Sequence, residues 1–181
     1  MNRTSHLTSV LLDKGTVRET LRAVVRAEMG LPLPPRQQTA YTAIQALLAD
    51  GTRLYITPQL LHILHRPANF PIASILLPEL SPLIVGRYLR RWARRLREAG
   101  ISREDALVVS YASFGVDEQM ETFGVATVLT TDARLKAHYV SIFDQLTRRF
   151  RRMTSQLKAP YRDAHLPTLM TPEELVPLLL T

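Results

Sequence analysis

The stretch from Ser102 to Leu135 reads SREDALVVSYASFGVDEQMETFGVATVLTTDARL. Its helix-like first part carries Asp105 in the first turn, and its short β-branched second part runs into Asp132. A third aspartate, Asp13, follows the apolar run SVLL near the start of the chain. In α/β sheets, residues at the starts of helices and at the ends of strands face a common cleft. The pattern therefore predicts an α/β fold with Asp13, Asp105 and Asp132 as candidate site residues.

Hydrophobic spacing and turn residues predict alternating strands and helices along the rest of the chain. The predicted strands cover residues 8–12, 53–57 and 125–130, with a last short strand in LPTLM. The predicted helices cover residues 16–30, 37–49, 58–66 and 82–99, one begins near Ser102, one runs from Asp132 to Phe150, and one ends the chain. Thr16 and Glu19 form a capping-box pattern. Residues 68–80, interrupted by two prolines, are predicted to be irregular.

Alternating strands and helices imply a central, mostly parallel sheet that helices cover on both faces. The expected fold class is a three-layer α/β/α sandwich, formed by a single domain over residues 1–181. It includes an arginine-rich helix at about residues 82–99 and a C-terminal helical extension. Ligands of such sheets bind beyond the carboxyl ends of the strands, where the sequence places Asp13 and Asp132.

Composition excludes several classes of protein and favours a polyanionic partner. The chain has no cysteine, so disulfides, thiolate zinc sites and cysteine nucleophiles are excluded. Its apolar runs are much shorter than the ~20 residues that span a bilayer, so we expect no membrane segment. The lack of cysteine fits the cytoplasmic location that we expect. No nucleophile elbow, Walker loop or dinucleotide fingerprint occurs. The formal charge is +7 and nearly all basic residues are arginine, which matches phosphate well, although a GC-rich coding sequence gives the same bias.

Each aspartate also has an ordinary structural explanation. Asp105 ends the segment SRED at residues 102–105, which is a helix-capping pattern. Asp132 can cap the helix that follows it. Asp13 precedes Lys-Gly, a common turn composition. The order and spacing of the three residues, rather than any single motif, favour a shared site.

In that order the aspartates resemble those of the PIN-domain nucleases, the fold of VapC-type toxins and related RNA-cleaving enzymes. The likeness consists of a strand running into Asp13, the block ISREDALVVSYA around Asp105, and VLTTDARL around Asp132, where the family has Thr-x-Asp. It spans residues 8–135, and the terminal MTPEEL is also similar. The resemblance implies an endoribonuclease that uses Mg²⁺ or Mn²⁺, with these three aspartates as catalytic and metal-binding residues. It also brings an antitoxin-type protein partner and a homodimer into consideration.

Two positions depart from the family pattern. Gln59 stands where the family has a glutamate early in the helix after the second strand. The family's Asp-Thr-Asn/Ser start reads Asp13-Lys14-Gly15 here, with Thr16 as a nearby hydroxyl. The missing carboxylate leaves a second hypothesis open, a catalytically weakened PIN-like RNA-binding or protein-interaction module. A third is a small α/β regulatory domain with no role in nucleic-acid chemistry.

Carboxylates that converge in one cleft support metal-assisted hydrolysis. They repel one another, so some would stay protonated near neutral pH unless a cation lay between them. Mg²⁺ or Mn²⁺ needs few carboxylates because water completes its octahedral shell. Such an ion lowers the pKa of bound water and stabilises charge on the attacked phosphate. We expect Gln59, Thr16, Thr130 and Thr131 to support the aspartates or the bound water.

The helix predicted at residues 82–99 has an apolar seam that includes Trp92, which we expect in the core. Arginines cover its other faces, and a phosphate-binding role predicts contacts to RNA from Arg87, Arg90, Arg91, Arg94 and Arg97. A solvated surface over a packed seam explains the same pattern, because arginine stems cover apolar area. A second arginine cluster at residues 148–152 is open to both interpretations.

Overall fold

The strands form one parallel sheet. The computed structural model describes residues 7–179, in which five short strands pair with one another. They are β1 (Ser9–Leu12), β2 (Arg53–Ile56), β3 (Leu80–Pro82), β4 (Thr127–Leu129) and β5 (Thr168–Met170). Their order is β3-β2-β1-β4-β5, and every pair is parallel. Parallel neighbours need crossover connections, which here are made by helices.

The helices lie on the two faces of this sheet. They are α1 (Lys14–Glu28), α2 (Pro35–Ala49), α3 (Pro58–Leu64), α4 (Phe70–Ala73), α5 (Leu89–Glu98), α6 (Arg103–Phe114), α7 (Ala133–Ser141), α8 (Phe143–Thr154) and α9 (Pro172–Leu179). Helices α1–α4 and α9 cover one face, and α5–α8 cover the other. Among residues 7–179, no helix is both long enough and apolar enough to cross a bilayer.

The core has two halves because successive strand residues point to opposite faces. Val10 and Leu12 of β1 pack with the α1 side, whereas Leu11 between them packs with the α5–α8 side. Strand β2 divides in the same way, with Leu54 on the first side and Tyr55 on the second. The predicted three-layer α/β/α sandwich with a parallel sheet is confirmed.

The segment before α5 differs from the sequence prediction. Residues 68–80, predicted to be irregular, contain α4 and reach the first residue of β3, which pairs with β2. Ser81 and Pro82, predicted to start the arginine-rich helix, belong to β3 instead. Proline is tolerated there because β3 is an edge strand, where one row of backbone donors has no partner strand. The helix therefore begins at Leu89 rather than near residue 82.

A close approach of the chain to α6 explains this late start. A Cβ on Gly86 would lie 1.8 Å from the carbonyl oxygen of Phe114, so the approach requires glycine. Ile84 forms an antiparallel bridge with Val116 just beyond α6. Tyr88 then has a φ of 71° immediately before the helix. Residues 83–88 are thereby held against the end of α6.

Two predictions about helices were also wrong. The long helix predicted after Asp132 divides at Ile142, whose φ of −110° and ψ of 9° end α7 before α8 begins. The predicted capping box at Thr16 does not form, because α1 already begins at Lys14. The hydroxyl of Thr16 is buried and donates to the carbonyl oxygen of Leu129 at 3.0 Å. It therefore joins α1 to β4 instead of capping α1.

A buried polar network lies between β2 and the loop after α6. Asp117, only 3% exposed, accepts hydrogen bonds from the Tyr55 hydroxyl at 3.1 Å and from the backbone N–H groups of Glu121 and Thr122 at 2.8 and 3.1 Å. Burial acts to raise the pKa of Asp117, but these hydrogen bonds outweigh it and hold the pKa below its ordinary value. Asp117 is thus an ionised structural carboxylate.

Candidate functional site

Asp13 lies at the carboxyl end of β1 and is bonded to the neighbouring strand. Its backbone N–H donates to the carbonyl oxygen of Leu129 at 3.0 Å, which continues the pairing of β1 with β4. Its Oδ2 accepts a hydrogen bond from Thr130 Oγ1 at 3.0 Å. Thr130 is fully buried, so this hydrogen bond ties the Asp13 carboxylate to the protein interior.

The same threonine fixes the turn that carries Asp132. Thr130 Oγ1 accepts a hydrogen bond from the backbone N–H of Asp132 at 3.0 Å. The Asp132 side chain is exposed, and its Oδ1 accepts from the N–H groups of Arg134 and Leu135, both at 2.9 Å. Asp132 therefore caps α7, as its ordinary explanation predicts, while Thr130 joins its backbone to the Asp13 carboxylate.

Asp105 lies in the first turn of α6, where Ser102 is the N-cap. Ser102 Oγ accepts from the N–H of Asp105 at 3.2 Å and donates to Asp105 Oδ2 at 2.6 Å. The capping pattern of SRED is therefore confirmed. Asp105 is nevertheless close enough to Asp13 for the two charges to repel.

The pKa of Asp13 is raised above its ordinary value, chiefly because burial disfavours the charged form and secondarily because of the nearby charge on Asp105. Hydrogen bonds from Thr130 and from the N–H groups of Lys14 and Gly15 oppose this rise without cancelling it. A half-buried carboxyl with a raised pKa beside a second carboxylate is typical of functional sites.

A small cleft of about 70 Å³ opens beside Asp13. It is lined by Asp13, Thr57, Gln59 and Glu104 together with apolar side chains. Gln59 is exposed and follows the N-cap residue Thr57 of α3, so the structure brings it to the same cleft as Asp13. Of the carboxylates on the first turn of α6, it is Glu104 rather than Asp105 that lines this cleft.

Sequence reasoning missed three charged residues around the site. Lys14, which directly follows Asp13, pairs with Glu104 at 3.0 Å between Nζ and Oε1. Arg36 at the start of α2 donates from Nη2 to the carbonyl oxygen of Thr131 at 3.0 Å. Lys14 and Glu104 could have been noticed as neighbours of the candidate aspartates. Arg36 had no local signal, because it reaches Thr131 across 95 positions of sequence.

Of the expected supporting hydroxyls, Thr130 lies between two of the aspartates, whereas Thr16 is turned toward the carbonyl oxygen of Leu129. Thr131 packs against the turn after β1, since a Cβ added to Gly15 would lie 2.6 Å from Thr131 Oγ1 and 3.3 Å from Asp13 Oδ2. Glycine at position 15 thus lets the β1–α1 and β4–α7 turns approach each other.

The donor set suits a hard divalent cation in its chemistry, since it consists of carboxylate oxygens. Within the described residues, Asp105 Oδ1 and Asp132 Oδ2 accept no hydrogen bond, so each aspartate has an oxygen to offer while it keeps its structural bond. In that same part of the chain, however, no three histidine or acidic side chains lie close enough together to hold a metal ion. Ion binding would therefore require the carboxylates to draw together.

A larger groove of about 580 Å³ lies between α1 and the segment formed by α3 and α4. Its walls are apolar and include Val17, Leu21, Ile63 and Ile72. Four basic residues of α1 spaced four apart also line it, namely Lys14, Arg18, Arg22 and Arg26. Lys14 borders both this groove and the small cleft beside Asp13.

The arginines predicted to contact RNA are exposed, and Trp92 is fully buried as expected. Arg90, Arg91, Arg94 and Arg97 lie on α5, whereas Arg87 precedes it, with its guanidinium carbon 5.4 Å from the centre of the Tyr88 ring.

The chain was compared with family models, curated proteins and solved structures. No family model, no curated protein and no solved structure matches the chain.

Proposed function

We propose that this chain is a cytoplasmic PIN-type endoribonuclease that hydrolyses RNA phosphodiester bonds with Mg²⁺ or Mn²⁺. The observation that carries the proposal is the connection made by Thr130, whose Oγ1 bonds both the Asp13 carboxylate and the backbone of Asp132 at 3.0 Å. Asp105 approaches from α6, near enough for its charge to raise the pKa of Asp13. In this proposal, β1, the turn after β4 and the first turn of α6 each supply one carboxylate to the cation.

In this proposal each residue around the cleft has a role. Asp13, Asp105 and Asp132 hold the cation, which when bound supplies an activated water and positive charge for the scissile phosphate. Lys14 and Arg36 place positive charge beside the carboxylates, where an RNA phosphate would approach. Gln59 offers an amide that can donate to phosphate or accept from water.

The raised pKa of Asp13 gives the proposal a pH dependence. Cation binding requires the ionised carboxylate, so binding competes with the proton on Asp13. Because that proton is held more tightly than in an ordinary aspartate, Mn²⁺ affinity should rise with pH through the acidic range. Calorimetry at several pH values should also detect proton release on binding.

The test is cleavage of end-labelled structured RNA with Mg²⁺, Mn²⁺ or EDTA. Asn variants of Asp13, Asp105 and Asp132 should lose cation-dependent cleavage but remain folded, because the asparagine side-chain oxygen can accept the hydrogen bonds that each aspartate accepts from Thr130, from Ser102 or from the first turn of α7. Asp163→Asn, an exposed position outside the site, is the matched control and should cleave like the parent. Equal cleavage by the parent and all three site variants would exclude these aspartates.

A second candidate function is a PIN-like interaction module without strong catalysis. The observation that favours it is the α1 groove, whose apolar walls and basic rim suit an amphipathic acidic partner of the antitoxin type. Gln59 in the cleft beside Asp13 also lowers the negative charge available to a cation. If the parent binds RNA or such a partner but cleaves no RNA with either cation, this second function is favoured.

A further inference from the structure

The net charge of the chain is concentrated on two helices. Helix α5 carries five arginines and one glutamate, and α8 carries four arginines and one aspartate. Together they have a formal charge of +7, which equals the net charge of the whole 181-residue chain. The residues outside these two helices therefore have a formal net charge of zero, although basic residues occur throughout the sequence.

These two helices are neighbours in the same layer of the fold. The buried rings of Trp92 on α5 and Phe150 on α8 are in edge-to-face contact, with centroids 4.8 Å apart and an interplanar angle of 70°. The two helices thus meet side by side at this contact, and we call the arginines that they expose the α5–α8 face. Its exposed members are Arg90, Arg91, Arg94, Arg97, Arg148, Arg151 and Arg152.

This concentration of charge is poorly neutralised. Within residues 7–179, Arg94 is the member of the α5–α8 face that has a carboxylate within ion-pair distance, Glu98 at 3.7 Å. Like charges on adjacent helices repel one another and destabilise the folded state unless an anion binds. Packing of the apolar faces of α5 and α8 explains the burial of Trp92 and Phe150, but it does not require a net charge on the exposed faces of these helices. The excess of arginine thus indicates an anionic ligand.

We propose that the α5–α8 face binds the phosphate backbone of double-helical RNA without regard to sequence. The proposal rests on the proposed function, for which it names the substrate class, but its binding test does not require cleavage. Guanidinium groups bind phosphate oxygens in a bidentate way. Helices of 10 and 12 residues are about 15 and 18 Å long, so each can pass several phosphates of a duplex.

The composition of the face distinguishes this ligand from a single strand. Proteins that bind single strands stack bases on exposed aromatic rings. On α5 and α8 the aromatic residues are Trp92, Phe143 and Phe150, of which Trp92 and Phe150 are buried. Phe143 is 39% exposed but lies at the start of α8, with its ring against Tyr139. The arginines can therefore contact phosphates, but no aromatic side chain among them can stack on a base.

A membrane surface fits this face less well. Interfacial helices bury exposed apolar side chains among the lipids. Among the described residues, α5 has no exposed large apolar side chain, and α8 has only Phe143. The position of α5 instead connects the face with the candidate site. The chain passes from Glu98 through residues 99–102 into the first turn of α6, which carries Asp105.

The test measures RNA binding in EDTA, so that cleavage does not interfere. Fluorescence anisotropy would use two unrelated duplexes of about 20 base pairs, longer than the ~16 base pairs that a compact duplex-binding domain spans. An unstructured single strand with the same number of phosphates and anionic vesicles complete the set of probes. Three double variants each remove two charges: R90Q/R97Q on α5, R148Q/R152Q on α8, and the control R53Q/R66Q, two exposed arginines outside both helices.

We expect both duplexes to bind equally and more tightly than the single strand. Each α5 or α8 variant should bind duplex at least about tenfold more weakly at 100 mM salt and lose about one unit of salt slope per phosphate contact removed. The control pair should bind like the parent. Equal losses in the control, unchanged binding in the α5 and α8 variants, or preference for the single strand or the vesicles would each overturn the proposal. Because binding is measured in EDTA, a parent that binds duplex but cleaves no RNA overturns the proposed nuclease function and leaves this inference standing.

Discussion

The contact between Gly15 and Thr131 gives a quantitative test of how the two turns of the site pack. An alanine methyl at position 15 would lie 2.6 Å from Thr131 Oγ1, far closer than such atoms normally approach. Overpacking of this kind costs about 1–3 kcal/mol. Gly15 is in the first turn of α1, where replacement of glycine by alanine otherwise gains about 0.5–1 kcal/mol. The expected net loss in the free energy of unfolding is about 1 kcal/mol, within a range of about 0–2.5 kcal/mol.

A double-mutant cycle separates these two effects. In a Thr131→Ala background the colliding oxygen is absent, so Gly15→Ala should stabilise the protein by about 0.5–1 kcal/mol. Urea denaturation of the parent, both single variants and the double variant would give a coupling energy of about 1–3 kcal/mol, valid if the four m-values agree. If Gly15→Ala is equally stabilising in both backgrounds, the two turns do not meet and the packing described around Asp13 is wrong.

Three further predictions use other parts of the structure. The folded-state pKa of Asp13 is raised, so ionisation of this residue costs stability above the ordinary pKa of about 3.8. Asp13→Asn should therefore raise the Tm at pH 7. This gain in Tm should disappear as the pH falls below 3.8. Tyr55→Phe removes a hydrogen bond to the ionised Asp117 and should cost about 1.5–3 kcal/mol at pH 7 by urea denaturation. Since the folded-state pKa of Asp117 is lowered, its stabilising contribution is present above the ordinary pKa and is lost as the pH falls through the folded value, so this loss should shrink in acid. Gln59→Glu adds a carboxylate to the cleft of Asp13 and should lower the Tm without metal but tighten Mn²⁺ binding measured by calorimetry.

The sequence predicted the elements that have strong local signals. β1, β2 and β4 were identified because short β-branched or apolar runs end in turn residues, and α6 because of the cap at Ser102. Strand β3 was missed because its three residues include Pro82, and an edge strand of this length is specified by its partner β2 rather than by its own pattern. The break at Ile142 was missed because the apolar spacing continues through it.

The sequence predicted which aspartates belong to the candidate site, but it did not predict the contacts that connect them. Asp13 and Asp132 could be placed at strand ends from order along the chain alone. The role of Thr130 between them could not, because it depends on which strands are adjacent. Arg36 contributes through a contact made only after α2 packs against the sheet. The charge of the α5–α8 face likewise depends on two helices that lie about 50 positions apart in the sequence and meet through Trp92 and Phe150.

The central claim is that Asp13, Asp105 and Asp132 hold one catalytic cation or a pair of them, and the most direct test is crystallographic. Crystals of the parent soaked in millimolar Mn²⁺ should show anomalous density within about 2.5 Å of carboxylate oxygens from these three residues. Crystals of Asp13→Asn soaked in the same way should show weaker density or none at that position. Mn²⁺ bound only elsewhere, or a parent whose three carboxylates remain separated with no density between them, would contradict the account.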